Sequence, residues 1–234
     1  MALVHIENMT KCYPMGERQF RALDSITVDF EKGEFTGIIG PSGSGKTTLL
    51  NIIGSLDVPT SGIVTVLGSS IEKLSEKDAS ILRARKLSFV FQTYNLFPVY
   101  TVYENVEFPL LLLDITETDR KKKVMEALEW VNLTDKAHSR PAQLSGGQAQ
   151  RVSIARAIVK EPELVLADEP TANLDAENSN HILKTMRQLN ESLHTTFIFA
   201  THDDKVIAYL NRKIRLVDGK IAEDEIVSPK KGES

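Results

Sequence analysis

No stretch of this chain limits its fold as tightly as Gly40-Pro41-Ser42-Gly43-Ser44-Gly45-Lys46-Thr47. Before it lies an apolar run, Phe35–Ile39, that reads as a strand; after it, Lys46–Ile53 reads as a helix. Glycines at this spacing let the backbone curl its N–H groups around an anion, and the start of the helix adds the positive end of a dipole. Lys46 brings a full charge, the Thr47 hydroxyl suits Mg²⁺, and Thr48 follows in the same first turn. G-x-x-x-x-G-K-[ST] between a strand and a helix therefore fits the β- and γ-phosphates of a nucleoside triphosphate. It also requires a strand–loop–helix unit, which belongs to α/β folds.

The remaining periodicities supply such a fold. Ile26, Val28 and Phe30 alternate with Thr27 and Asp29, as a half-buried strand does. Residues 63–67 and Leu87–Phe91 read as further strands. From Val102 to about Val159 the pattern turns helical, with Val124, Leu128 and Val131 on one face and Val152, Ala155 and Val159 on another. Thr116 suits an N-cap with Asp119 as partner, and Lys121-Lys122-Lys123 reads as a solvated helix face. Residues 164–167 and 196–200 read as buried parallel strands, separated by a helix carrying Ile182, Leu183, Met186 and Leu189. Asp218-Gly219 between two strand-like runs predicts a type I′ hairpin, and the polar tail from Ser228 a frayed end.

Asp168 and Glu169 close the run at 164–167. Ligands in open α/β sheets gather at the carboxyl ends of strands, so Asp168 is a candidate for Mg²⁺ and Glu169 for the base that polarises the attacking water. Two adjacent acids also suit a turn or helix start. Leu144-Ser145-Gly146-Gly147-Gln148 reads as another helix start, and its serine and glycines make a second anion site. One nucleotide does not obviously need two cradles.

This last run resembles the signature of the ABC ATPases, in which the signature of one subunit caps the γ-phosphate held by the cradle of another. Further residues match that family in order. Tyr13 resembles its adenine-stacking aromatic, and Gln92 the glutamine that contacts Mg²⁺ and senses the membrane partner. Ala172-Asn173-Leu174-Asp175 resembles the loop that crosses the dimer seam, and His202 the histidine at the γ-phosphate. The other histidines, His5, His138, His181 and His194, carry no such match.

The resemblance implies an α/β P-loop NTPase (RecA-like) core with an N-terminal antiparallel β subdomain and an inserted helical subdomain. It spans 1–234 as one domain, with core and β subdomain at 1–92 and 156–234 and the helical part at 93–155. It implies ATP and Mg²⁺ as ligands, an ATP-dependent homodimer, and a permease contacting the Gln92–Thr101 region, where Tyr94, Phe97, Val99 and Tyr100 suit either a docking groove or local packing. Segments 54–62, 94–98 and 170–175 look like the lipoprotein-release and macrolide-exporter type, although Ala149 stands where many of that group carry glutamine.

A net charge of −4 gives no basic footprint for nucleic acid, and no partner of that kind is expected. The single cysteine, Cys12, permits no internal disulfide and fits a reducing compartment, as a small packing residue. No signal peptide is recognisable, and no apolar run approaches the roughly 20 residues of a membrane helix. The expected location is the cytoplasmic face of a membrane, with another chain doing the spanning. Two rivals remain: a non-transport ABC ATPase acting on nucleic acid or ribosome, and a phosphate-loop kinase or GTPase. Against the latter, no Asn-Lys-x-Asp guanine motif occurs.

Overall fold

The structure, a computed structural model, describes residues 2–16 and 18–227. The tail expected to fray from Ser228 lies outside them. Two sheets organise the chain. The first is antiparallel, order β2-β1-β4-β5, from β1 (Val4–Met15), β2 (Arg18–Phe30), β4 (Ser61–Val66) and β5 (Ser69–Ser70). The second has six strands in the order β10-β9-β3-β8-β7-β6: β3 (Phe35–Ile39), β6 (Leu87–Phe91), β7 (Leu164–Asp168), β8 (Thr196–Thr201), β9 (Arg212–Val217) and β10 (Lys220–Ile226). All its neighbours run parallel except β10, which pairs antiparallel with β9.

The central strands of the six-stranded sheet, β3, β8 and β7, are buried on both faces, which is why they show no polar alternation. Along β7 and β8, Leu164, Leu166, Ile198 and Ala200 join a core with the first sheet and helix α1 (Lys46–Ile53). Val165, Ala167, Phe197 and Phe199 point into the opposite core, among α3 (Val102–Glu107), α4 (Glu117–Trp130), α5 (Gly146–Ile158) and α6 (Ala176–Leu193). Burying one such Leu or Phe contributes about 1.5–3 kcal/mol, so each strand stabilises two layers at once.

Most of the expected elements are present, with shifted limits. Ile26, Val28 and Phe30 are buried, but they end a strand that begins at Arg18. The strand expected at 63–67 spans Ser61–Val66. The helical stretch is broken into α3, α4 and α5 by 3-10 turns at Phe108–Leu112, Thr134–Lys136 and Pro141–Gln143. Val124, Leu128, Val131, Val152, Ala155 and Val159 are all buried there. Thr116 accepts from the Asp119 amide as expected, but without the reciprocal bond that makes a full capping box, which Thr101 and Glu104 do form on α3. Lys121 and Lys122 are solvated, whereas Lys123 is half-buried and paired with Glu161. The division expected at 155/156 falls inside α5, which runs unbroken.

Asp218 and Gly219 both have positive φ, 46° and 74°, between the paired Val217 and Lys220, as a type I′ hairpin requires. Helix α2 (Glu76–Lys86) is not among the expected elements, and its only buried side chain is Leu82. A short α7 (Asp204–Ile207) follows β8.

Candidate functional site

The carboxyl ends of four strands lie in register. Ile39 of β3 pairs with Thr201 of β8, Asp168 of β7 pairs with Ala200, and Phe91 of β6 pairs with Asp168. The residues that follow them therefore share one rim: the glycine loop after β3, Gln92 after β6, Glu169 after β7 and His202 after β8. A cavity of about 420 Å³ opens on this rim, lined by Ser42, Gly43, Gly45, Lys46, Thr47, Thr48, Gln92, Asp168, Glu169 and His202, with Phe20 and Ala22. A larger one of about 530 Å³, beside Trp130, contains none of the candidate groups.

Within the cavity, α1 starts from Gly45 at φ 104°, and no side chain caps it. Its first N–H groups are thus available to a ligand rather than to the chain. Buried Lys46 donates to the carbonyls of Gly40 (2.8 Å) and Pro41 (2.9 Å), which keeps its ammonium over the loop. The Thr47 hydroxyl donates to Asp168 Oδ2 at 3.0 Å. Burial raises the Asp168 carboxyl above the ordinary carboxylate range, with nearby Glu169 adding to the shift and Thr47 opposing it.

Glu169 has φ 46°, an uncommon conformation for a residue with a side chain. Three contacts hold it there. Its amide donates to Ala200 O at 2.9 Å, Thr201 Oγ1 donates to Oε2 at 3.0 Å, and His202 Nδ1 lies 2.6 Å from Oε1. A carboxylate only accepts, so the imidazole proton sits on Nδ1 and Nε2 is left as the second ring nitrogen. The acid pair is accordingly a strand end and a strained corner, not a helix start, since α6 begins only at Ala176.

Tyr13 stands just outside the cavity lining, its hydroxyl donating to Asp57 Oδ2 at 2.7 Å. Its cross-strand partner is Phe20, which does line the cavity. The Ser145 tip is elsewhere. There Ser145 Oγ accepts from the Gln148 amide at 3.3 Å, and Gln148 Oε1 accepts from the Ser145 amide at 2.9 Å, a complete capping box. Gly146 packs near the Tyr94 hydroxyl and Gly147 against Asn178. Asp175 caps α6, accepting from the amide and side chain of Asn178 at 2.8 and 2.7 Å, bonds that hold its carboxyl below the usual range. None of Tyr13, Ser145, Gly146, Gly147, Gln148 and Asp175 lines the phosphate cavity.

Thr201, Asp57 and Phe20 escaped the sequence. Thr201 and Asp57 act through partners 32 and 44 residues away, which no local pattern reveals. Phe20 had a faint signal as an aromatic in an exposed strand. Cys12, expected to pack, is half-buried opposite Arg21.

A mainly parallel sheet, an uncapped glycine cradle with a lysine after β3, and an acid pair closing β7 on the far side of β8 define a phosphate-loop NTPase. The comparisons narrow the class. The ABC transporter family profile matches residues 23–172, more than half the chain. The ABC transporter ATP-binding protein MJ0796 of Methanocaldococcus jannaschii is 41% identical over 227 residues, covering 95% of this chain and 97% of its own. YknY of Bacillus subtilis is 42% identical over 219 residues, 94% and 95% of the two chains. The macrolide export ATP-binding/permease protein MacB of Hyphomonas neptunium is 41% identical over 222 residues; the match takes in 95% of this chain but 34% of MacB. Among solved structures, a dimeric post-hydrolysis state of the MJ0796 cassette bound to ADP and Pi superposes with TM-score 0.88 at 41% identity, covering 96% and 99% of the chains. This chain belongs to the ABC transporter family and is one of its ATP-binding, ATP-hydrolysing cassettes. Among the described residues, no helix is long and apolar enough to cross a membrane.

Proposed function

We propose that the chain hydrolyses ATP as a homodimer around two nucleotides and drives a separate membrane permease of the lipoprotein-release or macrolide-export type. The observation that carries this reading is the separation of the two anion-binding tips. Each chain has a phosphate cavity that lacks the Ser145 tip, so a second copy is needed to bring cradle and signature onto the same triphosphate.

In this reading Lys46, the 40–47 backbone, Gln92 and His202 bind the γ-phosphate from one chain, and Ser145, Gly146, Gly147 and Gln148 bind it from the other. Asp175 lies at the seam between the copies. Glu169, aimed by Thr201 and His202, takes a proton from the attacking water. Mg²⁺ fits the oxygen donors present: Thr47 and Asp168 stand 3.0 Å apart, with Gln92 lining the same cavity. The described residues contain no cluster of three His, Cys, Asp or Glu side chains, which accords with an ion that keeps waters and phosphate oxygens as ligands. Bound there, Mg²⁺ would neutralise charge on the phosphates.

For the permease, a groove of about 490 Å³ runs between Phe89, Phe91, Phe97, Phe108 and Leu112, beside Arg83 and Arg156. Arg156 of α5 donates to the carbonyls of Tyr94 (2.7 Å) and Asn95 (2.6 Å). One rigid helix thereby joins the groove wall to the Ser145 tip, a path by which a permease segment could feel dimer closure. The name of MacB, a macrolide export ATP-binding/permease protein, supports an export partner, and in this reading the chain sits at the cytoplasmic face of the membrane.

The test is Glu169→Gln with ATP and Mg²⁺, followed by light scattering and phosphate release. We expect turnover to fall by about 10²–10⁴-fold, with a trapped dimer near twice the 26.0 kDa monomer. Full turnover would remove Glu169 from the base role, and a variant that stays monomeric with bound ATP would refute the sandwich.

A further inference from the structure

We infer that Asp57 is a positioning residue that sets the Tyr13 ring as a platform for the nucleobase, with Lys11 holding Asp57 in place. This rests on the ATP-binding reading above together with the resemblance of Tyr13 to the aromatic on which adenine stacks. Position supports a base at this edge: Tyr13 lies directly across the β1–β2 ladder from Phe20, so both rings share one face of the sheet, and Phe20 borders the phosphate cavity.

Two contacts hold the ring, and two more brace the groups that make them. The phenol donates to Asp57 Oδ2 at 2.7 Å. The Lys11 ammonium donates to Asp57 Oδ1 at 2.6 Å and to Val58 O at 2.8 Å. It also sits 4.8 Å from the Tyr13 centroid, so a cation covers one face of the ring and leaves the opposite face for a base. Lys11 is 8% exposed, which makes Asp57 its necessary counter-charge as well as the tether of the phenol.

Asp57 itself is anchored to α1. The amides of Leu56 and Asp57 both donate to Asn51 O, at 2.8 and 3.3 Å. Helix α1 therefore carries the phosphate cradle at its start and the anchor of the base platform just past its end. Its eight residues span about 12 Å at 1.5 Å per residue. A single rigid element thus sets the spacing between phosphates and base, and a ring already held in place loses less freedom when the nucleotide binds.

The experiment compares ATP with tripolyphosphate, which lacks the base, by calorimetry on the full chain. Tyr13→Phe keeps the ring and removes the tether, and Asp57→Asn weakens the same bond from the other side. Each is expected to weaken ATP about three- to tenfold, the range of one hydrogen bond, and to leave tripolyphosphate within about twofold. The double variant should be no worse than the stronger single one. Tyr13→Ala should weaken ATP by about tenfold or more. If it does not, the platform proposal fails. If Tyr13→Ala weakens ATP while Tyr13→Phe does not, the positioning role alone is overturned. Equal losses for both ligands, or additive losses in the double variant, would also overturn it. Tyr13→Phe leaves the Lys11–Asp57 pair intact and decides the matter if Asp57→Asn does not fold.

Discussion

The helices α1 and α5 both begin with glycines and a hydroxyl side chain, yet their tips are built for different work. At α1, Gly45 stands in the left-handed region with no capping side chain, and the first turn leaves its backbone donors unused by the chain. At α5, Ser145 and Gln148 satisfy each other's amides, so two of the tip's donors are already spent inside the protein. An anion at the first tip repairs a deficit, while one at the second meets a structure that is stable without it. In the proposed function the first tip is therefore the one that captures the nucleotide. The second contributes only when another site delivers the phosphate, as the dimer proposal requires.

The two glycines that shape these tips give the sharpest contrast. A Cβ at Gly45 would stand 2.7 Å from the Ala22 carbonyl oxygen and 2.8 Å from Leu23 Cδ2, at a backbone φ of 104°. Backbone cannot step aside, so Gly45→Ala should cost ATP about 100-fold or more in affinity. Isothermal titration of the monomer, with circular dichroism as a folding control, measures it. Undiminished binding would mean that the cradle is not the capture site.

Next in size is Ser145→Ala. Loss of a hydrogen bond to a charged phosphate should slow hydrolysis about tenfold to thirtyfold, with the ATP affinity of the monomer within about twofold. Parallel loss of monomer binding would erase the distinction between the tips. A smaller effect is expected at Gly147→Ala, where the added methyl meets a side chain: Asn178 Oδ1 at 2.4 Å and Cγ at 2.7 Å. Hydrolysis should fall about three- to tenfold, in line with modest overpacking. Adding Asn178→Ala leaves only its Cβ at 3.3 Å and should restore most of the activity. Failure of that rescue would mean the glycine serves its ligand rather than its packing. Least of all, Gln148→Ala removes one arm of the capping box and should lower stability by about 0.5–1 kcal/mol. Urea unfolding would detect this, and a collapse of monomer ATP binding would contradict the self-contained tip.

How the chemistry was readable from the chain follows from its locality. Gly40–Thr47 is a continuous loop whose proposed phosphate-binding role lies in its own backbone freedom, and the candidate acids Asp168-Glu169 stand out by ending an apolar run. The Asp218-Gly219 turn is equally local. Long strands were harder. β1 carries register shifts between Ile6 and Met9, Met9 and Lys11, and Lys11 and Cys12, so its burial never settles into strict alternation. α2 was silent because it buries a single leucine and so displays no apolar stripe. The helical stretch could be recognised as helical, but Pro109 and Pro141 divide it into pieces that only packing orients.

From its sequence alone the protein had its nucleotide chemistry, its α/β class and its family, because those reside in short runs whose residue types suffice. Tertiary structure decided which groups meet. It set Thr201 and His202 on Glu169, tied Tyr13 to Asp57 and Lys11, and left the Ser145 tip outside the phosphate cavity. Such contacts depend on strand order and register across dozens of residues, and no window along the chain is wide enough to contain them.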